Sequence, residues 1–176
     1  MKFIETSLSG VFIVELEPIE DERGFFARSW CSEEFKKRRL VNTLRQCNIS
    51  FNKKKGTIRG MHYQGKPYEE TKLVRCTKGS IYDVIIDLRP SSSTFKKNFG
   101  IELSELNHRM LYIPVGLAHG FQTLEDQTEV FYQMSQYFHE SYARGIRWND
   151  PAFSIRWPLP ISYISSKDNN YEDFKK

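Results

Sequence analysis

The chain has 176 residues, 39% of them hydrophobic and 14% aromatic, enough to bury one sizeable core without disulfide or metal staples. Its 26 basic and 22 acidic residues leave a net charge of +4 and are spread along the chain, whereas a nucleic-acid binder concentrates its basic residues in one stripe. Three cysteines, Cys31, Cys47 and Cys76, are odd in number and show no CxxC spacing, which argues against a disulfide scaffold and for a reducing cytoplasm.

The opening MKFIETSLSGVFIVELEP carries Glu5 and Glu15 and holds no uninterrupted apolar run of signal or membrane length, so no membrane association is expected. Residues 11–17, VFIVELE, read as a strand ending at Pro18. A turn-rich IEDERG follows, then a second strand around FFARSW. Ser32 precedes EEFKKRRL, a short helix with acidic residues in its first turn and basic ones in its last, as the helix dipole favours. From Val41 onward short extended segments recur, separated by Gly, Pro, Asn or Asp. They are TLRQCNISFN, GTIRGMHYQ, KLVRCTKG, SIYDVIIDLR, FGIELSE, MLYIPVG, GFQTLED and EVFYQMSQYF. So many short strands at close spacing predict an all-β barrel or sandwich, and no βαβ rhythm or solenoid repeat competes with it. Residues 145–176, with three prolines and two tryptophans, read as an ordered wrap on one domain spanning 1–176, fraying only at its last few residues. The basic clusters Lys36–Arg39 and Lys53–Lys55 read as a solvated helix end and a solvated hairpin tip.

The stretch Gly56–Arg89 places a guanidinium, an imidazole and an amine, those of Arg59, His62 and Lys72, in strands otherwise built to be buried. Strict alternation puts Arg59, Met61 and Tyr63 on one face and Gly60, His62 and Gln64 on the other. Of the four histidines, His108 and His139 lie in polar turn contexts, while His62 and His119 sit in apolar surroundings where an imidazole needs a partner or a purpose. Two such histidines admit a metal site, but no HxH or HExxH spacing supplies further ligands, and Gln64 stands where HxH needs its second histidine. Acid–base chemistry fits better. His62 serves as base, Asp168 or Asp83 orients it, Tyr132 is a possible acid, and the Lys72 ammonium suits a developing oxyanion while opposing a metal cation. No GxSxG or reactive cysteine motif supports a nucleophile. Arg23, Arg59 and Arg28 suit a phosphate or diphosphate, although for Arg28 a salt-bridged rim is favoured. With no GxGxxG or Walker motif, any nucleotide is expected to arrive as part of the substrate.

Several motifs in fixed order carry a family resemblance. They are Asp21-x-Arg23-Gly24-x-Phe26, Gln46-x-Asn48-x-Ser50, the run Gly56 to Gln64, and Lys72-Leu73-Val74-Arg75. Further on come Asp83 to Arg89, Pro114-x-Gly116-x-Ala118-His119-Gly120-Phe121, Tyr132, Trp148-Asn149-Asp150-Pro151 and Ser166-Lys167-Asp168. Together they resemble the cupin-fold 3,5-epimerases of nucleotide-linked 4-keto-6-deoxy sugars, whose type member acts on the dTDP-linked precursor of rhamnose. The resemblance implies a cupin jelly-roll barrel, a double-stranded β-helix with short peripheral helices. It also implies a homodimer in which an N-terminal strand joins the neighbour's sheet, with no metal and no cofactor.

By the same resemblance His62 is the base with Asp168 as its dyad partner, Lys72 stabilises the enolate oxygen, and Tyr132 returns a proton to the opposite face. Arg59 and His119 contact the sugar and phosphates, and Arg23, Phe26, Gln46 and Asn48 serve the nucleotide end. Three positions depart from the pattern: Arg28 and Ala143 where the family has Glu, and Phe138 where it has Tyr. They map to the nucleotide end or the pocket rim, so Phe138 joins the substrate-binding set while the exact nucleotide sugar stays open. Epimerisation at a single carbon, a 3,4-ketoisomerase and a non-catalytic cupin are the competing functions.

Overall fold

The computed structural model describes residues 1–175. Its strands are β1 (Lys2–Glu5), β2 (Phe12–Glu15), β3 (Ile19–Asp21), β4 (Gly24–Phe26), β5 (Gln46–Asn52), β6 (Thr57–Gln64) and β7 (Lys72–Lys78). These are followed by β8 (Ser80–Asp87), β9 (Asn98–Ser104), β10 (Met110–Ile113), β11 (Leu117–Thr123), β12 (Thr128–Met134), β13 (Ala143–Gly145) and β14 (Tyr163–Ile164). The helices are short: α1 (Ser32–Lys37), α2 (Ser166–Asn169) and one 3₁₀ turn at Glu140–Tyr142.

Two sheets face each other. One has the order β1-β2-β10-β7-β12-β5, the other β13-β6-β11-β8-β9 with β14 running parallel to β6. Neighbours in space are mostly not neighbours in sequence, which is how antiparallel strands wind into a jelly roll. Between the sheets lies a core that includes Val74, Ile81, Ile85, Leu111, Phe121 and Val130. The outer face of the first sheet is covered by α1, where Phe35 packs with Val14, Leu73 and Met110. The outer face of the second is covered by the C-terminal segment, where Ile146 and Phe153 pack on Val84, Ile86 and Ala118. Double coverage explains why SIYDVIIDLR reads as a continuous apolar run and not as an alternation: Ile81 and Ile85 face inward while Val84 and Ile86 face the wrap.

Several local expectations are revised. IEDERG is not a plain turn, because Ile19–Asp21 pairs with Gly24–Phe26 in a separate exposed hairpin, and the strand expected through FFARSW stops at Phe26. Helix α1 starts at Ser32 itself, with Cys31 as an N-cap that makes no side-chain bond. Lys53–Lys55 are exposed, but they connect strands of different sheets and do not tip a hairpin. Cys76 is buried, which pushes its thiol up to about 12, whereas Cys47 is exposed. Phe174 packs against Phe153 and its backbone N–H donates to Asp150, so the chain is tied down to that point, and fraying at Lys176 lies outside the described residues. Among the described residues no helix is long and apolar enough to cross a membrane.

Candidate active site

The site is organised by an irregularity in β6. Arg59 lies opposite Phe121 on β11 and His62 lies opposite His119, so three steps along β6 match two along β11. Phe121 and His119, two residues apart, share a face of their strand, and their partners Arg59 and His62 must share it too. Both therefore line one pocket, and the alternation expected from sequence, which set them on opposite faces, is overturned by this bulge. Met61 turns outward and is fully buried against Val84 and Ala118. The strands approach so closely here that a Cβ on Gly60 would lie 2.5 Å from the Gly120 Cα, and one on Gly120 would lie 2.7 Å from the Met61 sulfur.

His62 Nε2 lies 2.7 Å from Asp168 Oδ1, and the backbone N–H of Gly60 donates to Asp168 Oδ2 at 3.1 Å. Asp168 arrives on α2, which Ser165 caps by accepting from the Asp168 N–H, and β14 anchors that segment beside β6. Burial alone raises a carboxyl's pKa, but the hydrogen bond and charge of His62, with the Gly60 N–H, hold Asp168 below the ordinary value. The His62 side chain is 42% exposed, so it opens to the pocket instead of lying in the apolar interior that its neighbours in sequence suggested. Asp83, the other carboxylate considered for His62, belongs to His119: their Nε2 and Oδ1 are 2.7 Å apart on adjacent strands.

The opposing sheet supplies Lys72, at the start of β7, and Tyr132, on β12. Burial raises the Tyr132 pKa, Glu70 adds to this and Arg59 opposes it, so the phenol holds its proton. Arg59 Nε donates to Asn52 Oδ1 at 2.6 Å, which leaves the guanidinium without a carboxylate partner among the described residues. At the far end of the pocket Gln46 Nε2 donates to Asn48 Oδ1, and Gln46 Oε1 accepts from the Phe138 N–H at 2.9 Å. Glu70, Lys167 and Tyr171 also line the pocket and were missed in the sequence. Glu70 sits in an acidic pair that reads as a solvated loop, and its spacing of two from Lys72 was the available signal. Tyr171 stands edge-on to His62 in a place that a side chain at Gly145 would occupy. The cavity, about 520 Å³, is in the range of small-molecule sites. Among the described residues no three His, Cys, Asp or Glu side chains converge to hold a metal ion.

The sequence model of the dTDP-4-dehydrorhamnose 3,5-epimerase family matches residues 5–176. The chain belongs to that family. It is 42% identical to the dTDP-4-dehydrorhamnose 3,5-epimerase of Shigella flexneri over 99% of this chain and 96% of the relative. Among solved structures, the enzyme of that name from Elizabethkingia anophelis superposes with a TM-score of 0.96 at 35% identity, covering 99% of this chain and 96% of the other. The one from Bacillus anthracis, with TDP and PPi bound, has a TM-score of 0.93 at 39% identity and covers 98% and 99%. The all-β cupin barrel expected from the sequence is thus the family's fold.

Two family positions do not reach the pocket within one chain. Arg23, 89% exposed, pairs with Asp21 inside the β3–β4 hairpin, and Phe26, 74% exposed, stands at the end of the same hairpin. Arg28 forms an ion pair with Glu34 at 2.9 Å, the arrangement favoured for it from sequence. Ala143 and Phe138, two of the three departures from the family pattern, both line the pocket.

Proposed function

We propose that this chain is an epimerase that inverts C3 and C5 of a nucleotide-linked 4-keto-6-deoxy sugar, with dTDP-4-keto-6-deoxyglucose as its default substrate. One observation carries the reading: a histidine paired with a buried carboxylate and a protonated phenol line the same pocket from opposite sheets. Epimerisation needs a proton removed from one face of a carbon and another delivered to the opposite face, and groups on facing sheets meet that demand.

In this scheme Asp168 accepts from His62 Nε2–H, which leaves the ring's lone pair on Nδ1 to take the proton from the carbon beside the C4 ketone. The C–H electron pair moves into an enolate whose oxygen is stabilised by the Lys72 ammonium. Tyr132 O–H then protonates the same carbon from the other side, and solvent restores the proton balance of His62 and Tyr132. Arg59 and His119 hold the sugar and phosphates, while Gln46, Asn48 and Phe138 receive the nucleoside. Arg23 and Phe26 contribute to the nucleotide end from a second copy of the chain, because their hairpin projects away from its own pocket. A homodimer, a single unit over residues 1–176 and a cytoplasmic location complete the reading, the last supported by three free cysteines.

The test is incubation in D₂O with dTDP-4-keto-6-deoxyglucose, followed by NMR at C3 and C5. Exchange at both carbons is expected, with His62→Ala slowing it by ~10² to 10⁴, roughly 3 to 5 kcal/mol of transition-state stabilisation. Exchange at one carbon alone would make this a single-carbon enzyme. No exchange at either would remove the dTDP sugar as substrate.

A further inference from the structure

The pocket contains a carboxylate for which the reaction outlined above has no use. Glu70 lies in the loop before β7, its side chain only 4% exposed, and its Oε1 is 3.0 Å from the Lys72 Nζ. That ion pair is the only polar contact of the Glu70 side chain among the described residues. The second oxygen, Oε2, is buried and has no partner among the described residues. Burying a carboxylate is costly, and an unpartnered oxygen adds to the cost, so a residue whose task was to tie the loop down would be expected to use both oxygens on backbone N–H groups. Among the described residues Glu70 holds Lys72 alone.

Lys72 is itself 10% exposed, and besides meeting Glu70 it donates to the His62 carbonyl oxygen at 3.4 Å. An ammonium has three N–H donors, and these two contacts leave one direction for a ligand. A lysine side chain left free would sample many rotamers and drift towards the phosphate end of the pocket as a mobile point charge. The carboxylate two residues upstream prevents both. It also offsets the charge of Lys72, so that other cations lining the pocket are left to meet the diphosphate, Arg59 among them, its guanidinium bonded to the neutral Asn52 side chain and the Phe51 carbonyl.

We infer that Glu70 is a positioning residue: it aims the Lys72 ammonium at the site where the enolate oxygen forms and withholds it from the diphosphate. This rests on the epimerase reading, and it deepens that reading by giving Lys72 a fixed direction and a local task. When negative charge builds on the substrate oxygen, Lys72 can share its donors between that oxygen and Glu70 without moving its chain.

The experiment is a double-mutant cycle on the full chain, using Glu70→Gln, Lys72→Met and the pair. Competent sites are counted in each variant by the stoichiometry of dTDP binding, and turnover of dTDP-4-keto-6-deoxyglucose is expressed per dTDP site. A partly unfolded variant therefore does not pass for a slow one. Glu70→Gln is expected to lower kcat by about 10- to 100-fold, the scale of a misplaced catalytic group, with KM unchanged or lower. In the Lys72→Met background the same change is expected to cost less than about twofold, because nothing is left to position. Glu70→Asp, which keeps the charge but shortens the arm, falls between wild type and Glu70→Gln. Should Lys72→Met lose the dTDP site, Lys72→Gln serves as the background. Equal losses in both backgrounds, or full turnover by Glu70→Gln, would overturn the assignment while leaving the epimerase reading intact. A wild-type protein that neither exchanges nor epimerises would sink both.

Discussion

Asp168 illustrates how much one side chain carries. It is buried, it takes hydrogen bonds from His62 and from the Gly60 backbone, and its pKa lies below the ordinary 3.8. A carboxyl whose folded-state pKa is depressed binds fewer protons folded than unfolded. Its contribution to stability is therefore complete above that ordinary value and lost as the pH falls through the lower folded one. Urea unfolding of wild type at a series of pH values is expected to show this loss below 3.8, and Asp168→Asn is expected to lack that component. At neutral pH the same variant leaves His62 without its charged partner, and a drop of about 10² in turnover is expected. The residues alone left Asp168 and Asp83 open as partners of His62, and the family resemblance implied Asp168. In the structure Asp168, 106 positions away, meets His62, while Asp83 hydrogen-bonds His119.

At the scale of elements, β6 and its crossing with β11 decide where the chemistry sits. Gly60 has φ +124, a conformation side chains rarely adopt, and a Cβ there would press on the Gly120 Cα and the His119 carbonyl. Gly60→Ala is expected to cost ~1 to 3 kcal/mol in stability, measured by chemical denaturation. Turnover per folded molecule should fall further than stability does, because the strand shift moves Arg59 and His62 together. Most barrel strands were legible from their alternation and flanking turns, and the apolar run of β8 from coverage on both faces. The bulge was not. Alternation is a local rule, while a bulge depends on which residues of the partner strand are opposite, and GTIRGMHYQ does not contain that information.

At the scale of the whole molecule, the β3–β4 hairpin and the C-terminal segment work in opposite directions. The C-terminal segment returns Lys167 and Tyr171 to the chain's own pocket and sets Asp168 against His62, whereas the hairpin leaves Arg23 and Phe26 exposed and outside its lining. If the hairpin completes a second copy's pocket, mixing Arg23→Ala protein with His62→Ala protein creates one intact site per mixed dimer. Turnover at low substrate concentration is expected to rise above the sum of the two variants assayed separately. A mixture that shows no gain would return Arg23 to a purely local role in its turn.

What the sequence determined by itself is the set of parts: an all-β chain, the order of its barrel strands, and the residue types for proton transfer at His62, Lys72, Tyr132 and Asp168. Strand periodicity and turn residues are local, and they survive without knowledge of partners. The tertiary structure decided the pairings that the residues alone left open: Asp83 with His119, Glu70 with Lys72, Arg59 on the face of His62, and Asp168 with His62, which only the family resemblance had implied. Hydrogen bonds and ion pairs form across distances of a few ångströms in space, and in a jelly roll such neighbours often come from segments far apart in the chain, as His62 and Asp168 do. For Glu70 and Lys72, close in sequence, it is burial that the fold decides.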